Sequence, residues 1–209
     1  MGDVVSFTPQ CNVHKMEASF AEKLRSYIRT LKDKKIELSP VCIARDIREM
    51  YPNHMQGLMF PVIEFAGDLG IDVIGEHFPN DSKNIKGYLG LYPDKRKHPR
   101  IVVSDSESYG HQRWTVAHEI WHYLNHFDDD LENAQYYPED SSNYDLRDAS
   151  EESLANTFAT ELLMPEQLFR IAYQELSWWK RVFKSKRKLA SAFMVSEEGV
   201  KRRINELRL

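Results

Sequence analysis

The chain has 209 residues, of which 42% are hydrophobic and 29% are charged, a composition typical of a globular protein and not of a disordered or fibrous one. Its net charge of -4 at pH 7 argues against binding nucleic acid over the whole surface. No apolar stretch approaches the roughly 18 residues of a membrane span, and the first residues lack a secretory signal, so a cytoplasmic protein is predicted. Cys11 and Cys42 form no CxxC pair and are expected to be free thiols.

The N-terminal third has helical periodicity. Apolar residues recur at three- and four-residue steps between positions 20 and 31, which predicts one amphipathic helix. Ser39 followed by Pro40 predicts an N-cap and the first turn of a second helix that ends at Met50. A third helix is predicted over residues 61–69, where Gly70 supplies the left-handed turn after the last residue.

Three short runs rich in β-branched and aromatic residues follow, at positions 71–74, 87–92 and 100–104. Because the turn-rich segments between them are short, they predict an antiparallel meander. The last run immediately precedes the next helix. It is therefore either a sheet edge to which an extended peptide adds by main-chain hydrogen bonds, or a plain strand of the sheet.

Helical patterns occupy most of the remaining chain. Between them lies an acidic, tyrosine-rich stretch, residues 128–147, which is either a lid over a cleft or a mobile loop. The predicted helices cover residues 112–127, 148–164, a segment from Pro165, 189–193 and 196–207.

The predicted fold class is α+β, mostly helical, with a small antiparallel sheet of about three strands. We expect an N-terminal helical segment, residues 1–55, to pack on a core domain formed by residues 56–209.

His118, Glu119 and His122 spell HExxH within a helical run. Residues four apart on a helix lie one turn apart and only ~40° apart around the axis, so both imidazoles can face one metal ion. Glu119 flanks the same face, where it can hold a water molecule without being a ligand. This pattern predicts a zinc site in which Glu119 is the catalytic carboxylate.

A catalytic zinc needs a third protein ligand, which the first helix cannot supply. Glu152 on the later helix fits this role, because Asn156 lies four residues on and can accept the free ring N–H of a zinc-bound histidine. Glu151 stands three residues after Asp148 at the start of that helix. We expect this pair to form a reciprocal cap, which leaves Glu152 for the metal.

Three segments in order, RWTVAHEIWHYLNH, ExxAN with FATELLMP, and LASAFMVSEEGVKRRI, resemble the ImmA/IrrE family of metallopeptidases. The resemblance covers roughly residues 58–207. It implies a zincin-like active-site helix pair, with His118, His122 and Glu152 as zinc ligands and Glu119 as the catalytic residue. One departure is Trp121, where the family usually has glycine, so the packing behind the site must accept an indole.

The resemblance also implies a function, the site-specific cleavage of a regulatory partner such as a helix-turn-helix repressor or antitoxin encoded nearby. A zinc-dependent endopeptidase is therefore the predicted activity. It needs no membrane or nucleic-acid partner.

Several other residues near the motif have two interpretations. His126 is a fourth ligand or a packing residue at the helix end, and His111 is an oxyanion-stabilising donor or an exposed loop histidine. Phenol donors for the same role are available, and the sequence does not rank them: Tyr88, Tyr136, Tyr137 and Tyr144.

The rival hypothesis is a non-catalytic metal-containing regulator or toxin component that binds a partner protein or DNA. Residues 189–207 can be read as a short helix-turn-helix, with Ser196 capping a recognition helix that carries Lys201, Arg202 and Arg203. A basic run, residues 180–188, lies beside Trp178 and Trp179, which could stack on bases. A core-packed C-terminal hairpin explains the apolar residues of residues 189–207 equally well.

Overall fold

The computed structural model describes residues 15–51, 57–78, 86–91, 98–126, 149–179 and 183–209. Within these ranges the chain forms eight helices and a three-stranded sheet. In chain order they are α1 (Lys15–Asp33), α2 (Pro40–Met50), α3 (Val62–Asp68), β1 (Asp72–Glu76), β2 (Gly87–Leu91), β3 (Pro99–Ser104), α4 (Tyr109–His126), α5 (Ala149–Leu163), α6 (Glu166–Trp179), α7 (Phe183–Phe193) and α8 (Glu197–Glu206).

The predicted signals at helix ends are present. The Ser39 hydroxyl accepts a hydrogen bond from the Cys42 amide at 3.5 Å, and Pro40 occupies the first turn of α2. After α3, Gly70 has φ of 77°, a left-handed conformation that glycine adopts without a side-chain clash. The predictions for α1, α2 and α3 are confirmed to within a few residues.

The sheet has the predicted three strands, but it is mixed and not an antiparallel meander. Its order is β1-β3-β2, with β1 parallel and β2 antiparallel to β3. The central strand β3 buries Ile101, Val102 and Val103 in succession, as a strand covered on both faces does. Of the two interpretations of β3, the plain strand of the sheet is confirmed and the edge for peptide addition is wrong, because both sides of β3 are already paired.

The helix pair predicted for the active site lies at the centre of the packing. Helix α5 packs between α2 and α4. The indole of Trp121 on α4 is 1% exposed and packs on Phe158 of α5, with ring centroids 5.3 Å apart. This contact holds the two helices together directly behind the HExxH residues and accommodates the departure from the family's usual glycine.

Helices α7 and α8 form the C-terminal hairpin. The Ser196 hydroxyl caps α8 by accepting from the Gly199 amide at 3.0 Å, as predicted. The turn before α8 touches the start of α4 so closely that a Cβ on Gly110 would lie 2.5 Å from the Val195 carbonyl carbon. Glycine is therefore required at position 110, and the close approach fixes α8 beside α4 and α5.

Helices α1 and α2 contribute Leu24, Ile28, Ile43 and Ile47 to the same hydrophobic core as the rest of the described chain. The boundary near residue 55 stays a prediction. None of the described helices is long and apolar enough to cross a membrane.

Several expectations concern residues outside the described ones. They are the thiol of Cys11, the acidic stretch 128–147 with its three tyrosines, the cap from Asp148, and the side chains of His126, Trp178 and Trp179.

Candidate metal centre

Helix α4 brings the two histidines of the HExxH motif together inside the protein. His118 is 6% exposed and His122 is fully buried. Their Nε2 atoms lie 3.2 Å apart, as residues one helical turn apart on one face can arrange. Two ring nitrogens therefore face one small volume.

Glu152 of α5 closes this group. One of its carboxylate oxygens lies 3.1 Å from Nε2 of His118, and the other lies 3.2 Å from Nε2 of His122. Ligands at zinc bond lengths in a tetrahedral site lie about 3.3 Å from one another, close to these separations. Two imidazoles and one carboxylate therefore form a group that can hold a divalent metal ion and leave one coordination position open.

The other ring nitrogens of the two histidines face acceptors on α5. Nδ1 of His118 lies 3.1 Å from Oδ1 of Asn156, the partner that the sequence predicts. Nδ1 of His122 lies 3.3 Å from a carboxylate oxygen of Glu151. A bound metal ion would take the Nε2 lone pair of each ring, and Nδ1 would then be the donor to Asn156 and Glu151, the arrangement in which histidine binds a metal.

Sequence reasoning missed this role of Glu151, which it assigned to the start of the helix. The number of hydrogen-bond acceptors that the two imidazoles need could have predicted it. Each metal-binding imidazole needs an acceptor for the N–H of its other ring nitrogen. The sequence pattern provided Asn156 for one histidine but identified no acceptor for the other. The adjacent carboxylate of α5 fills that need.

The charge state of Glu152 also suits a cation site. Burial raises the pKa of its carboxyl, but the hydrogen bonds from His118 and His122 outweigh that effect and hold the pKa well below its usual range. The carboxylate is therefore ionised at neutral pH.

Glu119, the residue between the two histidines, is fully buried on α4. Its position one residue after His118 puts it beside the ligand face but outside the three-residue group. A buried carboxylate beside a metal site can take up a proton and release it.

His111 lies on α4 two turns before His118, about 10 Å along the axis at the usual helical rise. The Trp114 ring stands between them, 6.1 Å from the His111 ring and 5.3 Å from the His118 ring. His111 as an oxyanion donor stays a prediction, and this geometry favours a role farther from the metal. Tyr88 lies on β2 and packs against Phe78, with ring centroids 6.2 Å apart.

A cavity of about 540 Å³ lies along the seam between α4, α5 and α8, beside the metal centre but not lined by its three metal-binding side chains. Asn156 and Trp114 line it at the end nearest His118, and Arg202 of α8 lines its wall. This volume lies within the range of small-molecule and side-chain binding sites. We call it the α8 groove.

A family model for Peptidase M78, the IrrE N-terminal-like domain, matches residues 66–205, which include every residue of the metal centre. The chain belongs to this metallopeptidase family. The resemblance to ImmA/IrrE proteins is thereby confirmed.

Other comparisons bear on the fold. No curated protein matches this M78 chain significantly. A solved structure, a Mycobacterium tuberculosis transcriptional regulator, is similar at 20% sequence identity with a TM-score of 0.50, over 88% of this chain and 51% of that one. This chain thus spans about half the length of that regulator, and likeness at this identity concerns the fold alone.

The three basic residues proposed for a recognition helix, Lys201, Arg202 and Arg203, differ in their exposure and contacts. Arg203 is 3% exposed and is ion-paired with Glu161 of α5, so it packs inward and is not free to contact DNA. Lys201 is exposed and lies 3.7 Å from Glu198, and Arg202 lines the α8 groove. The core-packed hairpin is therefore the better description of this segment.

Proposed function

We propose that this chain is a zinc-dependent endopeptidase that cleaves a specific regulatory protein, with Glu119 as its catalytic residue. The observation that carries the proposal is the convergence of His118, His122 and Glu152 on one small volume, with an acceptor behind each imidazole. A purely structural metal site closes all its positions with protein ligands, whereas three ligands leave room for a reactant.

Zinc is the ion that the donor set favours, since two imidazoles and one carboxylate suit a borderline cation and the separations fit its bond lengths. When bound, zinc would polarise the scissile carbonyl and make an attacking water more acidic. Asn156 and Glu151 would keep both imidazoles in the correct tautomer and orientation.

Glu119 supplies the proton transfers. Its carboxylate accepts a proton from the attacking water as the carbon–oxygen bond forms, and then delivers it to the nitrogen of the departing amine. Full burial excludes bulk water from competing for this proton. A metal centre without a catalytic role has no use for a buried carboxylate in this position.

Membership of the M78 family supports a protein substrate. The candidate substrate is a helix-turn-helix repressor or antitoxin encoded beside this chain, as the resemblance to ImmA/IrrE proteins implies. The rival is a regulator that binds such a partner without cutting it.

The test is to mix the zinc-loaded protein with the product of the adjacent reading frame and to analyse the mixture by intact-mass spectrometry. We expect two fragments whose masses sum to the partner plus one water. Glu119→Gln, which keeps the shape but cannot accept the proton, should leave the partner intact. Stable complex formation with an uncut partner would favour the non-catalytic rival.

A further inference from the structure

The α8 groove has the location of a substrate subsite. Its nearest wall is Asn156, whose Oδ1 is 3.1 Å from the outer nitrogen of His118. Adding the width of the imidazole ring and one metal–nitrogen bond places this wall about 7 Å from a bound metal. An extended peptide advances about 3.3 Å per residue, so the groove would receive a side chain roughly two or three residues from the scissile bond.

Most charges of the groove are already neutralised within the protein. Arg203 donates to the Met164 carbonyl and forms ion pairs with Glu161 and Glu206, the latter at 2.9 Å. These contacts tie α8 to α5 and occupy both partners of each pair. Arg203 and Glu206 are therefore already paired and are not expected to bind a charged group of the substrate.

Other charged residues near the α8 groove also have partners of opposite charge. Nδ1 of His111 lies 3.1 Å from Glu107, whose carboxyl pKa is lowered chiefly by the hydrogen bond from Lys86. Glu198 lies 3.7 Å from Lys201. Arg202 is different: it is exposed, lines the groove, and makes no ion pair with any residue in the described part of the chain.

We infer that the α8 groove recognises an acidic side chain of the substrate, and that Arg202 is the residue that selects it. This inference rests on the proposed peptidase function. A guanidinium binds a carboxylate through two parallel hydrogen bonds, which gives geometric as well as charge selectivity. Trp114 offers an aromatic wall for the methylene groups of the acidic residue, and Thr160 offers a hydroxyl for a carboxylate oxygen.

The first experiment profiles cleavage of a peptide library derived from a digested proteome. With zinc-loaded protein, we expect Asp and Glu to be enriched two or three residues from the cut on one side. Arg202→Ala should remove this enrichment and lower kcat/KM for an acidic peptide about tenfold, as loss of a charge-assisted hydrogen bond does. Arg202→Glu should shift the preference to Lys and Arg.

The matched control is Arg187→Ala, which removes the same side chain from an exposed position on α7, outside the groove. It should leave the cleavage profile unchanged. Cleavage without acidic enrichment, or an equal effect of the Arg187 and Arg202 variants, would overturn the inference while leaving the peptidase function intact.

A binding experiment separates the inference from catalysis. Fluorescence anisotropy compares a labelled Glu-containing decapeptide with its Gln counterpart on zinc-loaded Glu119→Gln protein. We expect tighter binding of the Glu peptide, and loss of the difference in the Glu119→Gln, Arg202→Ala double variant but not in the Glu119→Gln, Arg187→Ala double variant. Equal affinities for the two peptides would contradict the role of Arg202, whereas a partner protein from the adjacent reading frame left intact by the wild-type protein would contradict the peptidase function.

Discussion

The two adjacent glutamates of α5 should contribute unequally to metal affinity. The two oxygens of Glu152 each face one histidine Nε2, at 3.1 and 3.2 Å, so Glu152→Ala would remove the proposed third ligand. Glu151 lies 3.3 Å from Nδ1 of His122, one ring away from the metal position. Its removal leaves the three donors in place but frees the His122 ring to turn.

The size of the Glu151 effect follows from this geometry. Loss of a carboxylate behind a metal-binding histidine typically weakens metal affinity by 10- to 100-fold. The 3.3 Å contact is slightly longer than a usual hydrogen bond, and the Glu151 side chain is 22% exposed. We therefore expect Glu151→Ala to weaken zinc binding by about tenfold, which is about 1.4 kcal/mol.

The assay is zinc competition against a chromogenic chelator. Glu152→Ala should retain no stoichiometric zinc. Glu151→Gln keeps a carbonyl acceptor and should lose less affinity than Glu151→Ala. The charge-matched control is Glu175→Ala on the exposed face of α6, which should bind zinc like the wild type. Zinc binding by Glu151→Ala as tight as that of the Glu175 control would contradict the role of Glu151. Loss of zinc from Glu151→Ala together with its retention by Glu152→Ala would contradict the assignment of both residues.

Four further predictions concern catalysis and stability. Glu119→Gln should keep the zinc content and fold but lower hydrolysis by about 10² to 10⁴, the usual worth of general acid–base catalysis, and a fully active variant would exclude its role. Chelation of zinc should lower the thermal midpoint of unfolding, because a bound ion would join α4 to α5. At zinc concentrations near 100 times Kd the lost stabilisation is about 2.7 kcal/mol, which is roughly 5 to 10 °C by calorimetry. An unchanged midpoint would argue against the site. Trp121→Ala should cost about 3 to 5 kcal/mol in denaturant unfolding by removing its contact with Phe158, so near-native stability would contradict this packing role. Arg203→Ala should lower the free energy of unfolding by about 3 to 5 kcal/mol, because it leaves the buried Glu161 carboxylate without its partner, whereas Lys201→Ala should change it by no more than about 0.5 kcal/mol. An Arg203 variant with native stability and lost DNA affinity would restore the helix-turn-helix hypothesis.

The helices were predictable because their signals are local. Ser39 and Ser196 cap their helices, and Gly70 ends one, through contacts within a few residues. Strand pairing is not local, so the short runs identified the strands but not their order. The uninterrupted apolar run Ile101, Val102 and Val103 was the available signal that β3 is buried on both faces and therefore central.

The candidate site was predictable to the extent that it lies on two helices with fixed periodicity. Spacing of four selected His118 with His122 and Glu152 with Asn156, and all four side chains meet in the structure. The contact between Glu151 and His122 depends on how α5 packs across α4, which no spacing within one helix encodes. The α8 groove likewise depends on the close approach at Gly110.

The most direct test of the central claim is a zinc titration of metal-free protein, followed by peptide hydrolysis and by metal content. We predict that the hydrolysis rate rises linearly to about one zinc per chain and then stays constant, since His118, His122 and Glu152 form a single site. Glu119→Gln should bind the same amount of zinc without hydrolysis at any point of the titration. Hydrolysis by metal-free protein, or by zinc-loaded Glu119→Gln at the wild-type rate, would contradict the account.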